Sequence, residues 1–256
     1  SLTWEKVATQ NVGLDFSLFG QKLDVSADAY IRDTKNMLMS VTYPDILGTD
    51  APKANAANLR TKGWELSVTW NDKIGKDWQY SLNLALSDNT SEITKYENPT
   101  GALSEYYVGQ KIGEIWGYKT QGIFQTTDEV ASAPDQSQLG SGWLPGDIRY
   151  ADLNDDKKIT AGSNTLADPG DRKIIGNSTP RYSFGINPKV RYKNWSLNIF
   201  FQGLFRDYLP GNDSWNDFYP GNIEAFEKYT LTETWSETNR DAYFPAAMSE
   251  LHCVTQ

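Results

Sequence analysis

Hydrophobic and polar positions alternate with a period of two in six separate stretches of the chain. In the first, Val12, Leu14, Phe16 and Leu18 share one face, and Asn11, Gly13, Asp15 and Ser17 share the other. In the second, Leu23, Val25, Ala27, Ala29 and Ile31 oppose Asp24, Ser26, Asp28, Tyr30 and Arg32. In the third, Trp64, Leu66, Val68 and Trp70 oppose Glu65, Ser67 and Thr69. In the fourth, Trp78, Tyr80, Leu82, Leu84 and Leu86 oppose Gln79, Ser81, Asn83 and Ser87. The fifth sets Tyr182, Phe184, Ile186, Val190 and Tyr192 against Ser183, Asn187, Lys189 and Arg191. The sixth sets Trp195, Leu197, Ile199 and Phe201 against Ser196, Asn198 and Gln202. Each stretch therefore predicts a strand lying between two different environments. A β-sandwich supplies a dry core and water. A transmembrane barrel supplies lipid outside and a wet lumen inside. Both satisfy the alternation.

Connection lengths and aromatic placement favour the barrel. Strands one and two are joined by Gly20-Gln21-Lys22, three and four by Asn71 to Asp77, and five and six by Lys193-Asn194. The alternate connections are long, running from Asp33 to about Leu59, from Asn89 to Arg181, and from Arg206 onward. Short turns at one end and long loops at the other are the asymmetry of outer-membrane barrels. Phe19, Trp70, Trp78, Tyr192 and Trp195 flank the short turns, and all but Phe19 sit on the apolar face. Trp and Tyr favour the headgroup level, where the ring is apolar and the N–H or O–H stays wet.

Composition narrows the chemistry. The chain of 256 residues carries a net charge of −9 and shows no Lys/Arg cluster, which argues against nucleic acid as a partner. Its mean hydropathy is −0.58, and no stretch approaches the ~18 consecutive apolar residues of a membrane helix. One Cys, Cys253, excludes an internal disulfide, and one His, His252, argues against His-based catalysis. The sequence begins in strand-like sequence and ends without a stop structure, so it is expected to be a piece of a longer protein.

The loop sequences carry local signals. Thr126-Thr127-Asp128-Glu129 predicts a capping box opening a short helix over Glu129 to Ala133, stopped near Pro134. Ile223, Phe226 and Tyr229 or Leu231 predict a second short helix within Asn222 to Trp235. Asp152, Asn154 and Asp156 stand at positions one, three and five of an EF-hand-like loop, with the Lys158 carbonyl at seven. Calcium is a hard cation that takes about 6–8 oxygens, so this spacing suits a structural Ca2+, the alternative being an acidic solvated turn. Lys157 replaces the usual glycine, and Ser163 the usual closing Glu. Asp168 or Asp171 is then expected to close the site.

Longer motifs resemble the SusC/RagA family of TonB-dependent transporters. They are Gln10-Asn11-Val12-Gly13-Leu14-Asp15, Ala56 to Glu65, Val108-Gly109-Gln110-Lys111-Ile112-Gly113, Trp116-Gly117-Tyr118 and Gly122-Ile123-Phe124-Gln125. The densest run is Pro145-Gly146-Asp147-Ile148-Arg149-Tyr150 through Asp156, followed by Asp171-Arg172-Lys173-Ile174-Ile175-Gly176-Asn177-Ser178-Thr179-Pro180. The resemblance covers nearly all of the chain up to Phe244. It implies an all-β fold, part of a large antiparallel transmembrane β-barrel of about 22 strands with long extracellular loops carrying short helices. It further implies that residues 1–256 are a partial barrel domain, with 89–180 as a long extracellular loop region. The plug, signal peptide and final strands would lie outside the chain.

Functionally, the resemblance implies a section of an outer-membrane active importer of glycans or peptides. It also implies a SusD-like surface lipoprotein, the TonB complex and outer-membrane lipid as partners. Loop aromatics suited to stacking on cargo are Tyr106, Tyr107, Trp116, Tyr118, Trp143, Trp215 and Tyr219. No catalytic residues are assigned. Two alternatives stay open on the residues alone. One is a secreted, calcium-stabilised, carbohydrate-binding β-sandwich. The other is a glycoside hydrolase fragment using Asp147 with Asp152 or Glu224 with Glu227, pairs that chance supplies in a chain of 33 acidic residues.

Overall fold

The structure, a computed structural model, describes residues 2–40, 53–207 and 232–246. Its elements in chain order are β1 (Lys6–Leu18), β2 (Leu23–Ser40), β3 (Lys53–Ile74), β4 (Trp78–Lys95), β5 (Glu114–Tyr118), β6 (Thr120–Ile123), α1 (Thr127–Ser132), β7 (Ile148–Tyr150), β8 (Arg172–Asn177), β9 (Arg181–Tyr192), β10 (Trp195–Asn198) and β11 (Phe201–Phe205). They fall into two compact units. The first holds residues 1–99, 105–113 and 179–207, and the second 100–104, 114–178 and 208–256.

The first unit is one antiparallel sheet in the order β1-β2-β3-β4-β9, with β10 and β11 both on the far side of β9. These last two are consecutive parts of one strand. Leu197 pairs with Val190 and Phe201 with Ile186, so the register is unbroken between them. The gap falls opposite Pro188. Ile199 N–H reaches the Pro188 carbonyl at 3.1 Å, but proline has no N–H to return. The six predicted strands are thus the six strands of the sheet, which does not close on itself among the described residues.

Register converts the sequence alternation into faces. Leu14, Ala27, Leu66, Leu86 and Phe184 line up across five strands, as do Phe16, Val25, Val68, Leu84, Ile186 and Phe201 across six. The opposite face carries rows such as Ser17, Asp24, Thr69, Asn83 and Asn187. There Asn83 donates to Ser67 Oγ at 3.2 Å and Thr69 Oγ1 at 2.8 Å. Gly63 also lies on the polar face, beneath the ring of Tyr30. A Cβ at Gly63 would stand 2.6 Å from that ring, so only glycine fits.

Among the described residues, the apolar face has no covering layer. Val12 is 79% exposed and Leu84 40%. A sandwich would bury these residues under a second sheet; an uncovered apolar face is what a barrel wall presents to lipid.

The band on that face has two aromatic borders. Near the short turns, Trp78, Tyr192 and Trp195 form one row, and the Trp78 and Tyr192 ring centroids lie 4.4 Å apart. Phe19 approaches Trp70 at 6.2 Å. The other border was not foreseen. Trp64 pairs with Asp88, and Tyr182 N–H donates to Asp88 Oδ1 at 3.3 Å. Asp88 also receives Arg181 Nε and Nη2 at 2.5 and 2.6 Å. From Trp78 to Asp88 is ten residue steps along β4. At about 3.4 Å per step and a tilt of roughly 35–45°, that spans about 24–28 Å, the height of a lipid-facing band.

Several predicted boundaries need correction. β2 runs on to Ser40, β3 begins at Lys53, and β4 continues to Lys95, all inside segments expected to be loop. Alternation marks only where one face meets lipid, whereas backbone pairing continues through polar sequence beyond it. Register shifts between Thr34 and Met37 and between Asn58 and Leu59 fall in these extensions. The connection expected at Asn71 to Asp77 shrinks to residues 75–77, because β3 pairs with β4 as far as Ile74–Trp78. The β1–β2 turn gains Phe19, whose φ of 56° places it in the turn. The predicted two-residue turn at Lys193-Asn194 is observed as such.

The second unit contains the two-stranded sheets β5·β8 and β6·β7 with α1. Tyr118, Tyr150 and Ile159 form its core, against which Leu139, Trp143 and Ile148 pack. The helix begins two residues before the prediction. Thr126 Oγ1 accepts Glu129 N–H at 3.2 Å, while the Glu129 carboxylate accepts from Gln125 N–H at 2.7 Å, one residue earlier than in the usual reciprocal box. The second predicted helix, within 222–235, lies mostly outside the described residues, of which Thr232 and Glu233 are helical.

The faces predict opposite tolerances. In the full-length protein, Leu66→Arg and Leu84→Arg should each cost about 2–4 kcal/mol and deplete the heat-modifiable, membrane-assembled form. Ser67→Arg and Asn83→Arg should assemble normally. Equal assembly of all four variants would contradict the assignment of faces.

Candidate functional site

The aromatic residues proposed for cargo contact occupy different environments. Tyr118 is buried, with its ring centroid 5.7 Å from that of Tyr150, and Trp143 packs on the same core. Burial pushes the Tyr118 phenol above its usual range, against the opposing charge of Arg172. Tyr107 is buried, beside Gln110. Trp116 is half-buried on β5. Tyr106 is the most open, edge-on to Tyr96 at 5.7 Å, in the first unit. Trp215 and Tyr219 lie outside the described residues.

The acidic loop is built by its own side chains. Asp152 accepts from Asp155 N–H at 2.7 Å and Lys157 N–H at 2.8 Å. Asn154 Oδ1 accepts from Asp156 N–H at 3.1 Å, and Asp156 Oδ1 from Lys158 N–H at 2.8 Å. Lys157 has φ of 62°, the left-handed conformation that the sequence pattern associates with glycine at that position. The first half of the loop is therefore curled by its own side chains, whose oxygens accept backbone N–H groups.

The closing carboxylates are engaged elsewhere. Asp171 is fully buried, and its two oxygens accept Leu153 N–H at 2.8 Å and Thr160 N–H at 2.7 Å. It thus ties together the two ends of the acidic loop. Arg172 extends the tie, donating to the Ala161 carbonyl at 3.0 Å and Asn164 Oδ1 at 2.7 Å. Asp168 serves a neighbouring turn, where the Ser163 N–H and hydroxyl hold its carboxyl below the ordinary range. Among the described residues, no three His, Cys, Asp or Glu side chains gather into a metal-binding group.

Other motif residues also build the scaffold. Asp147 is buried and accepts Leu144 N–H at 2.7 Å. Gly146, at φ of 100°, sits where a Cβ would stand 2.7 Å from the Trp235 ring. Gln136 escaped the sequence reading. It is buried, accepts from Tyr150 N–H at 2.8 Å and donates to the Ile148 carbonyl at 3.2 Å. Trp235 did as well, and its indole donates to Gln125 Oε1 at 3.0 Å. No local spacing marks either residue, since both act through partners distant in sequence. Glu224 and Glu227 lie outside the described residues.

Removing the Asp171 carboxylate leaves two backbone donors stranded. At about 1–3 kcal/mol for each, Asp171→Ala should cost roughly 2–6 kcal/mol. Limited proteolysis should show faster cleavage within residues 152–160, with Asp171→Asn intermediate. An unchanged cleavage rate in Asp171→Ala would refute this role.

Comparison with known proteins agrees with the geometry. Residues 1–244 match the family described as TonB dependent receptor-like, beta-barrel. The chain is 28% identical over 250 residues to TonB-dependent receptor P39 of Formosa agariphila, covering 85% of this chain and 23% of that protein. It is 28% identical over 217 residues to TonB-dependent receptor SusC of Bacteroides thetaiotaomicron, covering 82% and 20%. The RagAB peptide transporter superposes with a TM-score of 0.69 at 23% identity, covering all of this chain and 26% of that one. The chain thus spans about a quarter of the length of the proteins it matches. These relatives are receptors and transporters rather than enzymes, in keeping with motif carboxylates that serve loop architecture. The chain belongs to the TonB-dependent receptor β-barrel family and forms part of the wall and loops of such a barrel.

Proposed function

We propose that this chain is a section of an outer-membrane active importer of glycans or peptides, energised by a TonB complex and working with a SusD-like surface lipoprotein. The observation that carries this is the uncovered apolar face, bordered by aromatic rows at both ends, within a chain of this family. The chain makes and breaks no bond; its part is wall, loop scaffold and cargo contact. Among the described residues, Tyr106, Trp116 and Trp143 are the candidate rings that remain at least partly open to cargo. Expression of the full-length protein together with a SusD-like surface lipoprotein of its own organism tests the proposal. The two should co-purify, and cells should take up an oligosaccharide or oligopeptide only while TonB is present. Uptake indifferent to TonB would overturn the importer reading, and failure to co-purify would remove the lipoprotein.

The acidic loop is further proposed to hold a structural Ca2+, through Asp152, Asn154, Asp156 and the Lys158 carbonyl, with water completing the shell. The curl at Lys157 supports this, and the engagement of Asp168 and Asp171 elsewhere limits the protein's share of ligands. Chelation should speed cleavage of the loop in the full-length protein. The variant with Asp152, Asn154 and Asp156 all changed to Ala should show no such response, and the same response in both would remove the ion.

A further inference from the structure

Beyond the second aromatic border, the lipid-side face of the sheet changes from apolar to cationic. Following the alternation past Trp64 and Ala29, the next residues on that face are Lys62 and Ile31, then Arg60 and Asp33, then Lys35 and Lys6. Arg60 is neutralised, since Asp33 takes its Nε at 2.7 Å and its Nη2 at 3.0 Å. Lys6 and Lys35 stand directly opposite each other, an arrangement of like charges that destabilises a strand pair unless an anion bridges it. Lys62 faces Ile31 on one side and Thr90 on the other. All three lysines are exposed, and none forms an ion pair with a described residue. Among the described residues, Asp33 and Glu92 are the acids on this part of the face. Asp33 is held by Arg60 in a two-point ion pair, with the charge of Lys35 also acting on it from a longer range, and Glu92 lies opposite that same arginine.

We infer that Lys6, Lys35 and Lys62 form a docking strip for the phosphate of an anionic membrane lipid. The inference rests on the outer-membrane reading above, and charge complementarity selects the occupant. The strip continues the face that meets acyl chains, so the molecule reaching it from below carries its charge in a headgroup. At about 3.4 Å per residue and a tilt near 45°, Lys62 stands about 5 Å above the Trp64 row and Lys35 about 14 Å above it. A headgroup layer of about 5–8 Å takes in Lys62 and ends roughly 6 Å short of the Lys35 backbone, a gap that lysine stems leaning toward it bridge. The paired ammoniums of Lys6 and Lys35 would close on one phosphate, which removes their mutual repulsion.

The test uses the full-length protein in neutral detergent, with barrel assembly checked first by heat-modifiable migration. Native mass spectrometry then compares retention of phosphatidylglycerol and phosphatidylcholine. Wild type should prefer phosphatidylglycerol, and the preference should fall by up to about fivefold for each lysine lost in Lys6→Gln, Lys35→Gln and Lys62→Gln. A control variant, Lys73→Gln with Lys189→Gln on the polar face, should match wild type. Equal retention of the two lipids by wild type, or an equal fall in the control, would overturn the strip. Displacement of the lipid by inorganic phosphate would overturn the lipid as occupant. Failure of wild type to assemble as a barrel would instead strike the outer-membrane reading itself.

Discussion

Along β3, residues 53–70 pair with β2 and residues 58–74 with β4, so the central stretch 58–70 is paired on both sides. Lipid offers no hydrogen bonds, and each unpaired N–H or C=O placed in it costs several kcal/mol. The ladder therefore has to be complete before any side chain can face acyl chains. The structure obeys this where it is hardest to obey. At Pro188 the missing donor interrupts the strand assignment between β10 and β11, yet Ile199 still donates to the proline carbonyl and the register carries through.

Once the ladder is fixed, side chains divide by parity. Odd and even positions in each strand are committed to lipid or to the polar side, and a one-residue slip would exchange them all. The borders of the band follow from the same constraint. Charge returns to the lipid-side face at Asp88 in the company of Arg181, which supplies two hydrogen bonds to the carboxylate, and of the rings of Trp64 and Tyr182. A lone carboxylate there would have to be desolvated without compensation.

The loops meet a different requirement. Long connections must satisfy their backbone without a continuous ladder, and here polar side chains do so. Asp171 accepts from residues 18 and 11 positions away in sequence, and Gln136 clips the edge of β7. The acidic loop curls on its own Asp and Asn side chains. The motifs that carry the family resemblance are therefore mostly scaffold. Their spacing reflects the geometry of a folded loop, in which the Asp147 and Asp152 carboxylates accept backbone N–H groups.

The sequence by itself determined six strands, their faces, the end of the sheet with short turns, and the helix at Thr126. All of these depend on contacts between near neighbours in the chain: a two-residue period, a turn of two to four residues, a cap three residues away. Tertiary structure decided what local pattern cannot encode. It extended β2, β3 and β4 beyond the lipid band, because backbone pairing does not require apolar side chains. It brought Trp64, Asp88, Arg181 and Tyr182 into one border across three strands. It placed Tyr118 and Trp143 in a loop core, and turned Asp171 toward backbone donors rather than toward the acidic loop's side chains. Each of these outcomes depends on which distant segment arrives as the partner, and periodicity along a single chain carries no information about that.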